Sequence, residues 1–141
     1  MRLFDRGVNP IKIVLADDCA AVLAKVSTIL EKEFEVVAAV LNGEEAVAAV
    51  RNLDPDVLVT DISMPILDGL RAACILRDAQ CRAKIVFLTN HDDPDFILAA
   101  RAAGGSGFVT KFRLLSDLIP AIYAALSGKF YVSPSLRPID G

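Results

Sequence analysis

Val57-Leu58-Val59-Thr60-Asp61 is the stretch on which the fold turns. Apolar residues occupy its successive positions with no polar alternation, so both faces of the strand would be covered. That is the pattern of a strand in a parallel sheet with helices on each side. It ends on a carboxylate, so an acid stands where the buried strand emerges. Working outward, Ile11-Lys12-Ile13-Val14-Leu15 and Ile85-Val86-Phe87-Leu88 are nearly as continuous. Val36-Val37 and Gly107-Phe108-Val109 are shorter and weaker.

Helical spacing fills the gaps. Val22, Val26, Ile29 and Leu30 fall on one helix face. Ala46, Val47 and Val50 do so after the turn at Asn42-Gly43, and Leu70, Ala73, Cys74 and Arg77 follow Asp68-Gly69. Phe96, Ile97, Ala100 and Ala103 follow Asp92-Asp93-Pro94, an acidic start with Pro near the first turn. Leu115, Leu118, Ile119, Ile122 and Leu126 form the last stripe, which Gly128 closes as a C′ glycine. Pro120 belongs to the first turn of that helix if Ser116 is its cap. Five strand–helix units in alternation predict an α/β fold: a five-stranded, doubly wound parallel sheet with five helices and right-handed crossovers. Residues 1–10 read as a lead-in, 11–132 as one domain, and 133–141 as a tail or the start of a linker.

Composition excludes several function classes. Apolar residues make up 54% of the 141 and charged residues 23%, which is far from disorder. A net charge of −3 gives no bulk reason to coat nucleic acid or an anionic membrane. The longest run without strongly polar residues, 118–126, is under half of the roughly twenty residues a membrane span needs. The opening Met1-Arg2-Leu3-Phe4-Asp5-Arg6 lacks the apolar middle of a secretory signal, so a cytoplasmic location is expected. Cys19, Cys74 and Cys81 show no C-x-x-C spacing, and with the single His91 they are too few for a zinc site.

Acidic groups stand where the strands end. The first ends in Asp17-Asp18 and the third in Asp61; the fourth ends in Thr89, and Lys111 follows the fifth. In an open α/β sheet the ligand crevice lies beyond the carboxyl ends of the strands, at the switch in strand order. With the order 2-1-3-4-5 that switch falls between strands one and three. Asp17, Asp18 and Asp61 would meet there, with Thr89 and Lys111 on the rim. Like charges at about 4 Å cost on the order of 4 kcal/mol at an effective dielectric of 20, so either a proton or a hard cation must relieve them. Oxygen-only ligands, few and open to water, suit Mg2+. A metal neutralising phosphate oxygens beside a positioned carboxylate nucleophile is the equipment of phosphoryl transfer.

Asp61-Ile62-Ser63-Met64-Pro65-Ile66-Leu67-Asp68-Gly69 resembles the phosphoacceptor segment of response-regulator receiver domains. Asp17-Asp18, Thr89 and Lys111 fall at that family's other key places, and Phe108 takes its aromatic position. The resemblance covers residues 11–132 and implies a flavodoxin-like fold. It implies that Asp61 accepts a phosphoryl group from a sensor histidine kinase and that Asp18 and Asp61 hold Mg2+. Asp17 would assist, and the backbone carbonyl of Ser63 would complete the protein ligands. Thr89 and Phe108 would be the switch pair, with a phosphorylation-dependent homodimer as one output. Phe112 stands where many receivers have Pro. The stretch 111–134 is instead similar to the branch that carries a C-terminal LuxR-type helix-turn-helix. The chain is then either the receiver of a longer transcriptional regulator or a stand-alone receiver in a phosphorelay. Neither reading makes it a dedicated enzyme, and neither has this stretch touching nucleic acid or membrane.

Plainer roles stand beside these. Asp17 and Asp18 could cap the first helix, Thr89 could simply end a strand, Lys111 could be a solvated surface lysine, and Phe108 could be ordinary core. His91 is either an exposed loop residue or a fringe of the site. A dehalogenase-type phosphatase would need a second Asp where Ser63 stands. A flavodoxin-like redox protein would need a phosphate loop where Ala16-Asp17-Asp18-Cys19 is electrostatically opposite.

Overall fold

The computed structural model describes residues 10–90 and 94–134. In chain order the elements are β1 (Lys12–Ala16), α1 (Ala20–Leu30), β2 (Glu35–Val40), α2 (Gly43–Leu53), β3 (Val57–Asp61), α3 (Gly69–Asp78), β4 (Lys84–Thr89), α4 (Pro94–Ala102), β5 (Gly107–Thr110), a 3-10 turn (Lys111–Arg113), α5 (Leu114–Leu126) and β6 (Tyr131–Val132). The strands lie parallel in the order β2-β1-β3-β4-β5-β6. The first five reproduce the expected order. The sixth adds a two-residue strand on the β5 edge that no periodicity announced.

Alternation within each strand divides the core. Ile13 and Leu15, Val57 and Val59, Val86 and Leu88, and Val109 pack on one face with α1 and α5. Val14, Leu58, Ile85, Phe87 and Phe108 pack on the other with α2, α3 and α4. Two covered faces explain why the central strands read as unbroken apolar runs. They also fix which end of the sheet is open. The crossovers place every strand's carboxyl end on the same side, so side chains just past those ends share one crevice.

Helix starts follow local chemistry in two cases. The Asn42 side chain accepts from the Glu45 N–H at 2.9 Å, and Asp68 accepts from the Arg71 N–H at 2.8 Å, each filling an otherwise orphaned donor. The residue capping α1 is Cys19, whose side chain makes no capping bond, so Asp17 and Asp18 are not that helix's caps. Asp92 and Asp93, expected ahead of α4, lie outside the described residues, as does His91.

Three expectations for helix faces need correction. Leu115 is 75% exposed and Leu114 is buried in its place, because the 3-10 turn runs directly into α5 and begins the helix two residues before Ser116. Pro120 therefore lies inside α5, past its first turn, where it has no N–H for the carbonyl of Ser116. On α3 the buried stripe is Ala72, Ala73 and Leu76, while Arg77 faces outward and donates to the Ala102 carbonyl at 2.7 Å.

After α5 the chain turns at Gly128, whose φ of +79° suits a C′ glycine. It then returns to the sheet. Tyr131 and Val132 pair with Gly107 and Phe108, and Arg101 stacks over the Phe130 ring at 4.9 Å.

Candidate functional site

The crevice is built by strand ends. Asp17 immediately follows β1 and is held there by its N–H, which donates to the Val40 carbonyl at 3.1 Å. Its Oδ1 accepts from the Cys19 N–H at 2.9 Å. Asp61 closes β3, and Lys111 opens the 3-10 turn after β5. Asp18 faces solvent, whereas Asp17 and Asp61 are buried.

Behind Asp61 the chain folds back tightly. The Gly69 N–H donates to the Ile62 carbonyl at 2.8 Å, and a Cβ on Gly69 would sit 2.1 Å from the Asp61 carbonyl oxygen. Only glycine lets α3 start this close to the end of β3. Gly43 makes a similar approach from α2: its N–H donates to the Leu67 carbonyl at 2.9 Å, where a Cβ would lie 2.1 Å from the same oxygen. Between these anchors Ile66 has φ +70°, a left-handed conformation that a β-branched residue adopts only at a cost of about 1–3 kcal/mol.

The acids converge as the sequence suggested. Carboxylate oxygens of Asp17, Asp18 and Asp61 all lie within 4.8 Å of one another. Lys111 Nζ sits 2.8 Å from Asp17 Oδ2 and 3.2 Å from Asp61 Oδ2. Its side chain is only 11% exposed, so the cluster is screened little by solvent. Burial pushes the Asp61 carboxyl above its ordinary value of 3.8, and the neighbouring Asp17 charge adds to that rise. Lys111 and a backbone hydrogen bond from Ser63 pull in the other direction without reversing it. For Lys111, burial works against the charged form, but its hydrogen bond to Asp17 and the charges of both aspartates outweigh it and raise its pKa.

This donor set suits a hard divalent cation. Three carboxylates against one ammonium leave a local excess of two negative charges. Asp17 Oδ2 is buried and, apart from its ion pair with Lys111, has no hydrogen-bond partner among the described residues. Oxygen ligands from few residues, one of them open to solvent, match Mg2+ better than zinc. Ser63 lies on the exposed loop directly after Asp61 and Ile62, where its backbone borders the same carboxylates.

Thr89 and Phe108 are placed differently from the acids. Thr89 ends β4 beside Thr110 and is fully buried, not on an exposed rim. Phe108 pairs with Phe87 across β4 and β5, and its ring is fully buried in the core shared with Ala100 and Ala103.

A second polar cluster nearby escaped the sequence reading. Asp117 on α5 is buried and accepts from Ser133 Oγ at 2.6 Å, Ser116 Oγ at 2.9 Å and Arg113 Nε at 3.0 Å. Ser133 Oγ in turn accepts from the Thr110 N–H at 3.2 Å. Only the i,i+4 spacing of Arg113 and Asp117 could have hinted at it.

Comparison with known proteins places the fold and the family. Residues 13–123 match the family described as the response regulator receiver domain. The transcriptional regulatory protein YvfU of Bacillus subtilis is 35% identical over 128 residues, covering 89% of this chain and 64% of that protein. Among solved structures, a LuxR-family two-component response regulator from Aurantimonas sp. SI85-9A1 is 32% identical, with a TM-score of 0.85 over 91% of this chain and 93% of that one. The isolated REC domain of RcsB from Salmonella enterica serovar Typhimurium, in the presence of phosphomimetic BeF3-, is 27% identical with a TM-score of 0.81 over 91% of this chain and 96% of that one. The chain spans less than two thirds of the length of the first curated relatives it matches.

Proposed function

The chain belongs to the response regulator receiver domain family, and from that membership we propose that Asp61 accepts a phosphoryl group from a sensor histidine kinase, with Mg2+ held by Asp17, Asp18 and Asp61. The observation that carries this reading is Lys111 Nζ set between the buried carboxylates of Asp17 and Asp61, with the Asp18 carboxylate beside them. Asp18, Asp61 and the Ser63 backbone carbonyl would ligate the metal, and Asp17 would support it from the buried side. Bound there, Mg2+ supplies positive charge to offset the phosphoryl oxygens.

The remaining chemistry belongs to the chain. An Asp61 carboxylate oxygen attacks phosphorus; the new P–O bond forms as the donor's P–N bond breaks, and the electron pair leaves with the imidazole nitrogen. Lys111 meets the charge that accumulates on the transferred oxygens, and the Thr89 hydroxyl offers a hydrogen bond to the product. Phe108 is the partner in the switch. Its ring is fully buried, which supports a surface partly pre-set before phosphorylation biases it. Thr89→Ala should then weaken the monomer–dimer shift while leaving Asp61 phosphorylation intact, as sedimentation with and without acetyl phosphate would show.

The output reading rests on the relatives. Those named transcriptional regulators are longer than this chain. We take the chain as the cytoplasmic receiver part of such a regulator, with DNA contact made by a domain outside it. Its phosphotransfer and dephosphorylation would be self-catalysed.

The experiment is incubation with acetyl phosphate and Mg2+ followed by intact mass. A gain of about 80 Da that disappears in Asp61→Asn is expected, and an adduct retained in that variant overturns the assignment. Calorimetry should show Mg2+ binding lost in Asp18→Ala; unchanged binding would remove Asp18 from the ligand set.

A further inference from the structure

Asp117 is buried and charged, yet phosphoryl transfer at Asp61 makes no direct use of it. It accepts three hydrogen bonds, from Arg113, Ser116 and Ser133, and through Ser133 it is linked to Thr110, the residue before Lys111. Arg113 Nε, at 3.0 Å, belongs to the last residue of the 3-10 turn that Lys111 begins. Ser133 Oγ, at 2.6 Å, reaches the near side through the Thr110 N–H, which donates to it at 3.2 Å. The Ser133 N–H donates to the Phe108 carbonyl at 3.0 Å, so the same serine is pinned to β5 by its backbone. Burial would raise the Asp117 pKa, but bonds from Ser133, Arg113 and Ser116, with the Arg113 charge, hold it below the ordinary carboxylate value. The turn is fastened at each end by one ionised carboxylate. Lys111 stands between the two fastenings.

We propose that Asp117 is a positioning residue for Lys111: with Ser133 it fixes the Lys111–Arg113 turn so that Nζ is held between Asp17 and Asp61. This rests on the reading of Asp61 as phosphoacceptor. A lysine on a loose turn could still reach either carboxylate, but it would no longer be held where the transferred oxygens arrive. Because Ser133 follows β6, the fastening also makes the chain's path beyond the sheet part of the lysine's support. The lysine pairs with two of the carboxylates but is not itself a metal ligand. Loss of Asp117 therefore has a signature that general damage to the crevice lacks: slower phosphorylation that depends on Lys111 being present, with Mg2+ still bound.

The test uses the full chain, with acetyl phosphate as donor and intact mass as readout. Asp117→Asn should slow adduct formation by about tenfold, the scale on which a misplaced catalytic group acts. Calorimetry should still show Mg2+ binding, since no metal ligand is removed. In a Lys111→Ala background the Asp117→Asn substitution should add no further loss, because two residues acting through one contact are not additive. Equal slowing in both backgrounds, or an undiminished rate in folded Asp117→Asn, overturns the inference. Should Asp117→Asn fail to fold, Ser133→Ala decides by the same criteria, with Ser133→Thr expected to restore the rate. If the wild type takes no adduct at all, the phosphoacceptor reading fails first; if it does and the variants match it, only the role of Asp117 falls.

Discussion

Each end of the sheet holds a cation between two aspartates, and the two arrangements work in opposite ways. At the amino ends of the strands, Arg82 Nε donates to both Asp54 oxygens at 3.1 Å, and Nη1 donates to Asp56 at 2.9 Å. Arg82 is 55% exposed and Asp54 72% exposed, so water competes for those two charges, while Asp56 is 17% exposed. Asp56 also accepts from the Lys12 N–H at 2.7 Å and leaves little capacity unused. At the carboxyl ends, Lys111 is 11% exposed between Asp17 and Asp61, and Asp18 adds a third acid. The Arg82 cluster is balanced by solvent and hydrogen bonds and ties loops together. The Lys111 cluster keeps an unbalanced excess of negative charge where water reaches Asp18 but little of Asp17 or Asp61. Similar ingredients give a fastening in one place and, in the other, an acidic cluster that could hold a metal ion, and burial separates the two.

Removing the two cations should separate the clusters most. Lys111→Ala should cost about 2 kcal/mol in metal-free buffer, since it leaves buried carboxylates uncompensated, although part of the loss is limited by Asp61 taking a proton. Chemical denaturation would measure it, and a neutral result would mean the crevice is wetter than its burial indicates.

Removing an acid should act with the opposite sign. Asp61→Asn should stabilise the metal-free protein by about 1–2 kcal/mol through relief of like charge. Asp54→Asn at the other end should not stabilise. A clear destabilisation by Asp61→Asn without metal would contradict the crowded pocket. Mg2+ should shrink the gap: at ten times its Kd it should stabilise the wild type by about 1.4 kcal/mol and leave Asp61→Asn nearly unmoved.

The pH dependence sharpens the same contrast. Asp61 has its folded pKa raised above 3.8, so its contribution is unfavourable at neutral pH. That penalty is relieved as pH falls through the raised value toward 3.8. Asp117, whose folded pKa is lowered, contributes stability above 3.8 that is lost only at more acid pH. Metal-free melts should therefore rise modestly on acidification from neutrality before falling, and Asp61→Asn should flatten the rise. Arg82 remains charged throughout, because its hydrogen bonds to Asp56 and Asp54 raise its pKa further. The smallest effect belongs there: Arg82→Ala should change stability by no more than about 1 kcal/mol, and by less in high salt.

Legibility followed the same division. β1, β3 and β4 are visible in sequence because burial on two faces leaves no polar alternation, and the acids are visible because they interrupt those runs. The Asp117–Ser133 fastening was not legible. A serine and an aspartate near a helix start read as caps or surface, and nothing local says that residue 133 returns to residue 117. β6 escaped for a related reason, since two residues carry no period. The slip from Leu114 to Leu115 came from assuming a capped start at Ser116. The 3-10 turn instead delivers the chain into α5 early, and a shift of one residue is enough to exchange a buried leucine for an exposed one.

The short β6 also has a consequence for how this molecule meets other chains. An open strand edge is a template for unwanted pairing, and parallel sheets present two. Here Tyr131 and Val132 occupy the β5 edge at Gly107 and Phe108, and where β6 ends, the Ser133 hydroxyl takes the Thr110 N–H in place of a backbone carbonyl. A side chain thus finishes a ladder that the backbone leaves incomplete. The β5 edge is thereby covered as far as Thr110, and the borders of the sheet pass to β2 on one side and the two-residue β6 on the other.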